Sequence, residues 1–312
     1  MCYNFPIRIY DVFDMSKKGT HMSNPIQEKI VHGEKLFPFA SYEFTPAFPP
    51  ELFTAHWHSD YEIIYMQKGA VNFGINGISY PLSAHQALMV NPYQIHYSIS
   101  ANTSDFSFTS IVFGNSLVFP STESRIYTRY IHPSAREYIH FFPVLTQETA
   151  SGMDSLKSIE KICLLDKSRP LCYEMEIQIL LLSVFCSLLR ANAYDMEIRE
   201  DFHTLSYVQE LLYLLRKNFA EDIKLEVLAQ NMNISYEHLC RSFKKVVGKS
   251  PKKFLNDLRF QHAVYLMKTS EHQTIAEIAE SCGFSDMSYF AKRFRQKTGK
   301  TPSEYRNHMA GE

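Results

Sequence analysis

Two stretches of the chain align one above the other. They are Leu225–Phe254, LEVLAQNMNISYEHLCRSFKKVVGKSPKKF, and Thr274–Arg306, TIAEIAESCGFSDMSYFAKRFRQKTGKTPSEYR. Leu225, Leu228, Ala229, Met232 and Ile234 match Ile275, Ile278, Ala279, Cys282 and Phe284 at an offset of 50. Leu239, Phe243, Gly248, Pro251 and Phe254 match Phe290, Phe294, Gly299, Pro302 and Tyr305 at 51. A repeat that keeps apolar, small, Gly and Pro positions in register is one supersecondary unit used twice.

Each copy has the parts of a helix-turn-helix. Apolar residues at i, i+3 and i+4 give the first helix one buried face, and Ala229 or Ala279 lets a second helix cross closely. Thr274 with Glu277 predicts a capping box. Asn233 and Gly283 suit a turn that needs a left-handed residue. Ser235 in copy one, and Ser285 or Asp286 in copy two, are the expected N-caps of the second helices. Gly248 and Gly299 end those helices, and Ser250-Pro251 and Thr301-Pro302 restart the chain. With Leu239/Phe243 and Phe290/Phe294 facing inward, the outward residues are Ser235, Glu237, Cys240, Arg241, Lys244 and Lys245, then Ser288, Ala291, Lys292 and Arg295. Any one of these charges would suit a solvated surface, but two matched cationic faces suit the major groove.

On these residues, with RFQHAVYLM between the copies, the stretch from about His203 to His308 resembles the paired helix-turn-helix domain of AraC/XylS-type transcription regulators. The resemblance implies a long helix, Pro251–Lys268, joining two modules that read successive grooves of one duplex. That helix would be roughly 25 Å long at about 1.5 Å per residue. Phe260 departs from the family's aliphatic residue and is read as core variation.

Charge divides the same way. Residues 203–312 hold 17 Lys/Arg against 12 Asp/Glu, and residues 1–202 hold 15 against 21. A basic C-terminal third suits phosphates, and the acidic remainder does not. The 312 residues, 45% hydrophobic and 21% charged, suffice for two globular domains and a connector. Cys2, Cys163, Cys172, Cys186, Cys240 and Cys282 show no CxxC spacing and read as reduced thiols without zinc. No signal peptide or spanning segment is legible, so the expected location is the cytoplasm, away from membranes.

From Phe39 the texture is that of short strands: Ser41–Thr45, Leu52–Trp57, Tyr61–Gln67, Val71–Ile75, Ile78–Leu82, Ala87–Val90, His96–Ile99 and Phe106–Phe113. Pro49-Pro50 and Asn76-Gly77 punctuate them, the latter a two-residue hairpin signal. His56-x-His58-x3-Glu62-x6-Gly69 is similar to the first cupin motif, and Pro92-x3-His96 resembles part of the second. Ala84-His85 departs from the usual Gly-Asp, and the Pro92–His96 spacing is one short. The resemblance implies a β-barrel that senses a small molecule. His56, Trp57, His58, Glu62, Tyr65 and His96 are the candidate effector residues. His56, His58, Glu62 and His96 could also hold a divalent metal, although no metal or other cofactor is expected from the regulator family.

The expected architecture is α+β and multidomain. It comprises an N-terminal tail (1–35), a cupin-like β-barrel (36–120), a packing and helical dimerisation segment (121–195), a linker (196–203) and an all-α double helix-turn-helix (204–308). Gly152–Leu165 and Leu171–Ala193 read as helices. Met175, Ile179, Leu182, Cys186 and Leu189 form a stripe suited to the barrel or to a second subunit. The implied function is a sequence-specific transcription regulator controlled by a sugar or other small metabolite. Its partners would be double-stranded DNA, the effector, a second copy and possible contact with RNA polymerase. The competing class is a metal-dependent cupin enzyme with an accessory DNA-binding domain. A sequence-neutral architectural binder would not need two matched units.

Overall fold

The computed structural model describes residues 32–34, 36–45, 54–101, 105–119, 121, 123–131, 137–198, 202–270 and 273–309. Most of the Met1–Lys35 tail, the Pro49-Pro50 turn and the start of the Leu52–Trp57 run lie outside them. Seven strands come first: β1 Phe39–Phe44, β2 Tyr61–Lys68, β3 Ala70–Ile75, β4 Ile78–Ser83, β5 Ala87–Val90, β6 His96–Ala101 and β7 Ser107–Phe113. Then follow α1 Asn115–Val118, α2 Arg125–Tyr130, β8 Glu137–Phe141, β9 Val144–Leu145, α3 Ala150–Ser168, α4 Tyr173–Arg190 and β10 Tyr194–Ile198.

The strands form a five-stranded sheet in the order β1-β7-β2-β5-β9 and a three-stranded sheet in the order β4-β3-β6. All pairings are antiparallel. Strand β2 shows why they stack. Ile64 and Met66 join Val71, Phe73, Leu82 and Phe108 in a core between the two sheets. Tyr61, Ile63 and Tyr65 point the other way, into a core shared with α3 and α4. Both faces are covered, so β2 is buried almost throughout. Asn76 and Gly77 both have positive φ, 48° and 87°, as a two-residue hairpin turn between β3 and β4 requires.

Helix α4 buries Ile177, Leu181, Val184 and Leu188 against the sheet side. The Met175–Ile179–Cys186 side of the expected stripe faces out, with Met175 and Ile179 more than 60% exposed. Two expectations change. Among the described residues of Leu52–Trp57 there is only an isolated bridge, His56 to His96, rather than a strand. The segment expected to open the linker instead forms β10, paired with β8, because Tyr194, Met196 and Ile198 alternate as a strand does.

The C-terminal part is helical: α5 Phe202–Lys217, α6 Leu225–Asn231, α7 Tyr236–Val247, α8 Pro251–Thr269, α9 Ile275–Ser281, α10 Met287–Thr298 and α11 Pro302–Met309. The predicted caps form. The Ser235 hydroxyl accepts from the His238 amide, Thr274 and Glu277 make the capping box, and Asp286 rather than Ser285 caps α10. Asn233, Gly248, Gly283 and Gly299 are left-handed. One end of α8 (Phe254, Leu255, Leu258) enters the core of the first unit with Leu239 and Phe243. The other (Phe260, Ala263, Val264, Met267) enters the core of the second with Phe290 and Phe294. A single helix therefore belongs to both units. Among the described residues no helix is long and apolar enough to cross a membrane.

Candidate functional site

The helices α7 and α10 bury one face and present the other. Ser235, Glu237, Arg241, Lys244 and Lys245 are exposed and Cys240 is half-buried; Ser288, Lys292 and Arg295 are exposed and Ala291 is half-buried. Ala291, Lys292 and Arg295 line an open groove with Gln296 and Thr301. Tyr236 and Tyr289 are also exposed, at the start of each helix, and Asn256 Nδ2 lies 3.5 Å from the Tyr289 hydroxyl. The two tyrosines are 53 residues apart where the repeat offset is 51, so they are not matched positions, and only their place on α7 and α10 marks them.

The two units are tied by side chains on α8. Asp257 is 1% exposed, yet Lys249 Nζ donates to Oδ2 at 3.1 Å and Lys297 Nζ to Oδ1 at 2.8 Å. Lys249 follows α7, and Lys297 is on α10. Burial alone would push the Asp257 carboxyl up. The hydrogen bond from Lys297 and the charge of Lys249 outweigh it and hold the group below its ordinary value. Arg259 donates from Nε to the Phe219 carbonyl and from Nη2 to that of Glu221, both at 2.7 Å. These bonds fasten α8 to the chain just after α5.

In the N-terminal half, His56, His58, Glu62 and His96 converge, their ligand atoms all within 4.8 Å of one another. Glu62 lies on the β2 face that points between the sheets, and its Oε1 accepts from Ser110 Oγ. His96 opens β6. The three Nδ1 atoms each lie against a backbone carbonyl: His56 on Thr54 at 2.9 Å, His58 on Asp60 at 3.0 Å and His96 on Gln94 at 2.9 Å. A carbonyl only accepts, so each Nδ1 carries a proton and Nε2 is the ring atom left to face the cluster, as a lone pair when the ring is neutral. The Nε2 atoms of His58 and His96 sit 3.2 and 2.8 Å from Glu62 Oε2. Acceptors brought this close to a carboxylate need a positive species between them, either a proton or a metal ion. Burial holds His56 well below its usual value, reinforced by the charges of His96 and Arg216. Burial opposes ionisation of Glu62, but the neighbouring histidines hold it well below the usual carboxylate range.

The donor set fits a divalent metal. Bonds of about 2.0–2.2 Å from N and O donors place ligand atoms roughly 3.4 Å apart in a tetrahedron and at most about 4.4 Å apart in a trans pair, so binding draws the widest pair inward. Two candidate effector residues lie elsewhere. Tyr65 is on the opposite face of β2 from Glu62, and its hydroxyl donates to Glu160 of α3. Trp57 lies between the two histidines in sequence but is 6% exposed, in the core of the first helix-turn-helix unit. Successive side chains of an extended segment point to opposite sides, which separates both residues from the cluster.

That core crosses between the halves of the molecule. Ala55, Trp57, Ile95 and Tyr97 pack with Val208, Leu212 and Leu215 of α5 and with α7. Arg216 Nη2 donates to Thr54 Oγ1 at 2.8 Å and to the Ala55 carbonyl at 2.9 Å, and Gln209 donates to the Tyr93 carbonyl. The Asn76–Gly77 hairpin tip rests on the end of α7. A Cβ added at Gly77 would lie 2.0 Å from the Lys245 carbonyl oxygen.

Comparison with known proteins agrees with this division. Residues 44–159 match the AraC-like ligand binding domain and residues 228–308 the helix-turn-helix domain. The chain is 24% identical over 254 residues to the uncharacterized HTH-type transcriptional regulator YdeC of Bacillus subtilis, covering 80% of this chain and 85% of that one. It is 24% identical over 291 residues to the HTH-type transcriptional activator RhaS of Salmonella arizonae, covering 89% and 96%. The crystal structure of ToxT from Vibrio cholerae aligns over 88% of this chain and 99% of that one, at 17% identity and a TM-score of 0.46. With a ligand-binding domain preceding two cationic recognition helices on one shared helix, this chain belongs to the AraC family of DNA-binding transcription regulators.

Proposed function

We propose that the chain is a ligand-responsive regulator that reads two stretches of one duplex with α7 and α10, under control of a small metabolite such as a sugar bound by its N-terminal half. The observation that carries this reading is the pair of exposed cationic faces held at the two ends of α8. Lys and Arg supply affinity through phosphates, so binding falls as salt rises. Arg241 and Lys292, at the centres of their faces, discriminate between sequences. Arg241→Ala and Lys292→Ala are each expected to weaken specific binding by roughly 1–3 kcal/mol per lost base contact. A mobility-shift titration on the natural promoter that finds wild-type affinity for both variants overturns the assignment.

The outer face of α4, with Met175 and Ile179, is the proposed contact with a second copy. A second reading, a metal-dependent enzyme, draws on the His–Glu cluster alone. It requires a turnover that disappears in His56→Ala.

A further inference from the structure

The four-ligand cluster and the first helix-turn-helix unit share a boundary, and one side chain occupies it. The Thr54 carbonyl lies against His56 Nδ1 at 2.9 Å, and Arg216 Nη2 donates to the Thr54 hydroxyl and to the Ala55 carbonyl. The guanidinium of α5 is thus held by the backbone that orients a candidate metal ligand. On the other side of that ligand, Trp57 is packed with α5 and α7. His96 is tied to His56 by a pair of backbone hydrogen bonds, and Ile95 and Tyr97 on either side of it enter the same core. Every residue that flanks the cluster on this side is therefore also a residue on which the DNA-reading half is seated.

We propose that His56, His58, Glu62 and His96 form a divalent transition-metal site, and that its occupancy is linked to the docking of the first helix-turn-helix unit through Arg216. Three imidazoles and one carboxylate suit Zn2+, Co2+, Ni2+, Fe2+ or Mn2+ rather than Ca2+ or Mg2+. With Glu62 ionised, a bound dication leaves a net positive charge in a buried site beside the Arg216 guanidinium. The two repel in a medium that screens poorly. Drawing the four ligands inward also pulls on the Thr54–His58 segment, to which α5 is held by Arg216 at Thr54 and Ala55 and by the packing of Ala55 and Trp57. Metal binding therefore weakens the seam, and an undocked α5 raises metal affinity by the same factor, as linkage requires. The cation frees the first recognition unit to move on α8 relative to the β-sheets. This deepens the regulatory reading given above and rests on it for its consequence at DNA. The site and the link can be tested without DNA.

The test uses the full-length protein, stripped with chelator and titrated with Co2+. The visible d–d spectrum reports nitrogen and oxygen coordination. One equivalent is expected to bind in wild type and not in Glu62→Gln or His96→Ala. Arg216→Gln is expected to bind about tenfold more tightly, within the span usual for coupled sites. Arg216→Lys, which keeps the charge, is expected to bind as wild type does. Hydrogen exchange in α5 is expected to quicken when wild type is loaded with Co2+. Failure of wild type to take up Co2+ overturns the metal site. Uptake with equal or weaker affinity in Arg216→Gln, or with unaltered exchange in α5, overturns the link and leaves the site standing.

Discussion

At the scale of single residues, position decides what a titratable group contributes. His262 on α8 is 8% exposed and stacks on Phe219 at 4.2 Å between ring centroids. Burial, aided by the charge of Arg216, pushes its pKa down to about 4. The unfolded chain, titrating at about 6.5, binds the proton more readily. Stability from the neutral ring is therefore fully present above about pH 6.5 and drains away as pH falls toward 4, by roughly 3 kcal/mol in all. Urea unfolding at pH 7 and pH 4.5 is expected to show this loss in wild type and a smaller one in His262→Gln. Equal losses would remove His262 from the account.

Among elements, α8 is the member that both recognition units share, and Asp257 is its fastening. Replacing the carboxylate by Asn leaves Lys249 and Lys297 without their common anion. Both are partly exposed and can turn to water, so the expected cost is nearer about 2 kcal/mol than the 3–5 of a fully buried pair. Asp257→Asn is also expected to reduce affinity for a two-part DNA site more than for either half alone. A proportional loss on all three fragments in a mobility-shift assay would show that Asp257 only stabilises the fold. Legibility follows the same scale. The helix caps, the left-handed Asn233 and Gly283, the Asn76-Gly77 turn and most strands were readable because each depends on neighbours within a few positions. The convergence of His56, His58, Glu62 and His96 was readable from motif spacing. The fates of Trp57 and Tyr65 were not, since neither has a local signal for the helix it meets. Arg216 bonds residues over 160 positions away and had no signature at all. Asp257 was detectable in principle, as a charge on an otherwise apolar helix face.

For the whole molecule, α4 leaves apolar side chains open on the outside of the layered N-terminal half. Met175 and Ile179 on α4 are 64% and 63% exposed, beside the exposed Cys186. If two copies pair there, sedimentation should find a dimer in wild type and a monomer in Ile179→Asp with the fold intact by circular dichroism. A dimeric Ile179→Asp would place the contact elsewhere.

The core that Trp57 shares with α5 and α7 has a consequence for how such proteins can be recombined. A chimaera that transplants residues 203–312 onto a foreign receptor leaves behind Ala55, Trp57, Ile95 and Tyr97, and with them part of the interior of the first recognition unit. The donor half would arrive with a wet wound where Val208, Leu212 and Leu215 had been dry. Grafts that bring a matching aromatic patch from the new host should heal, and grafts that ignore it should be sticky and poorly inducible.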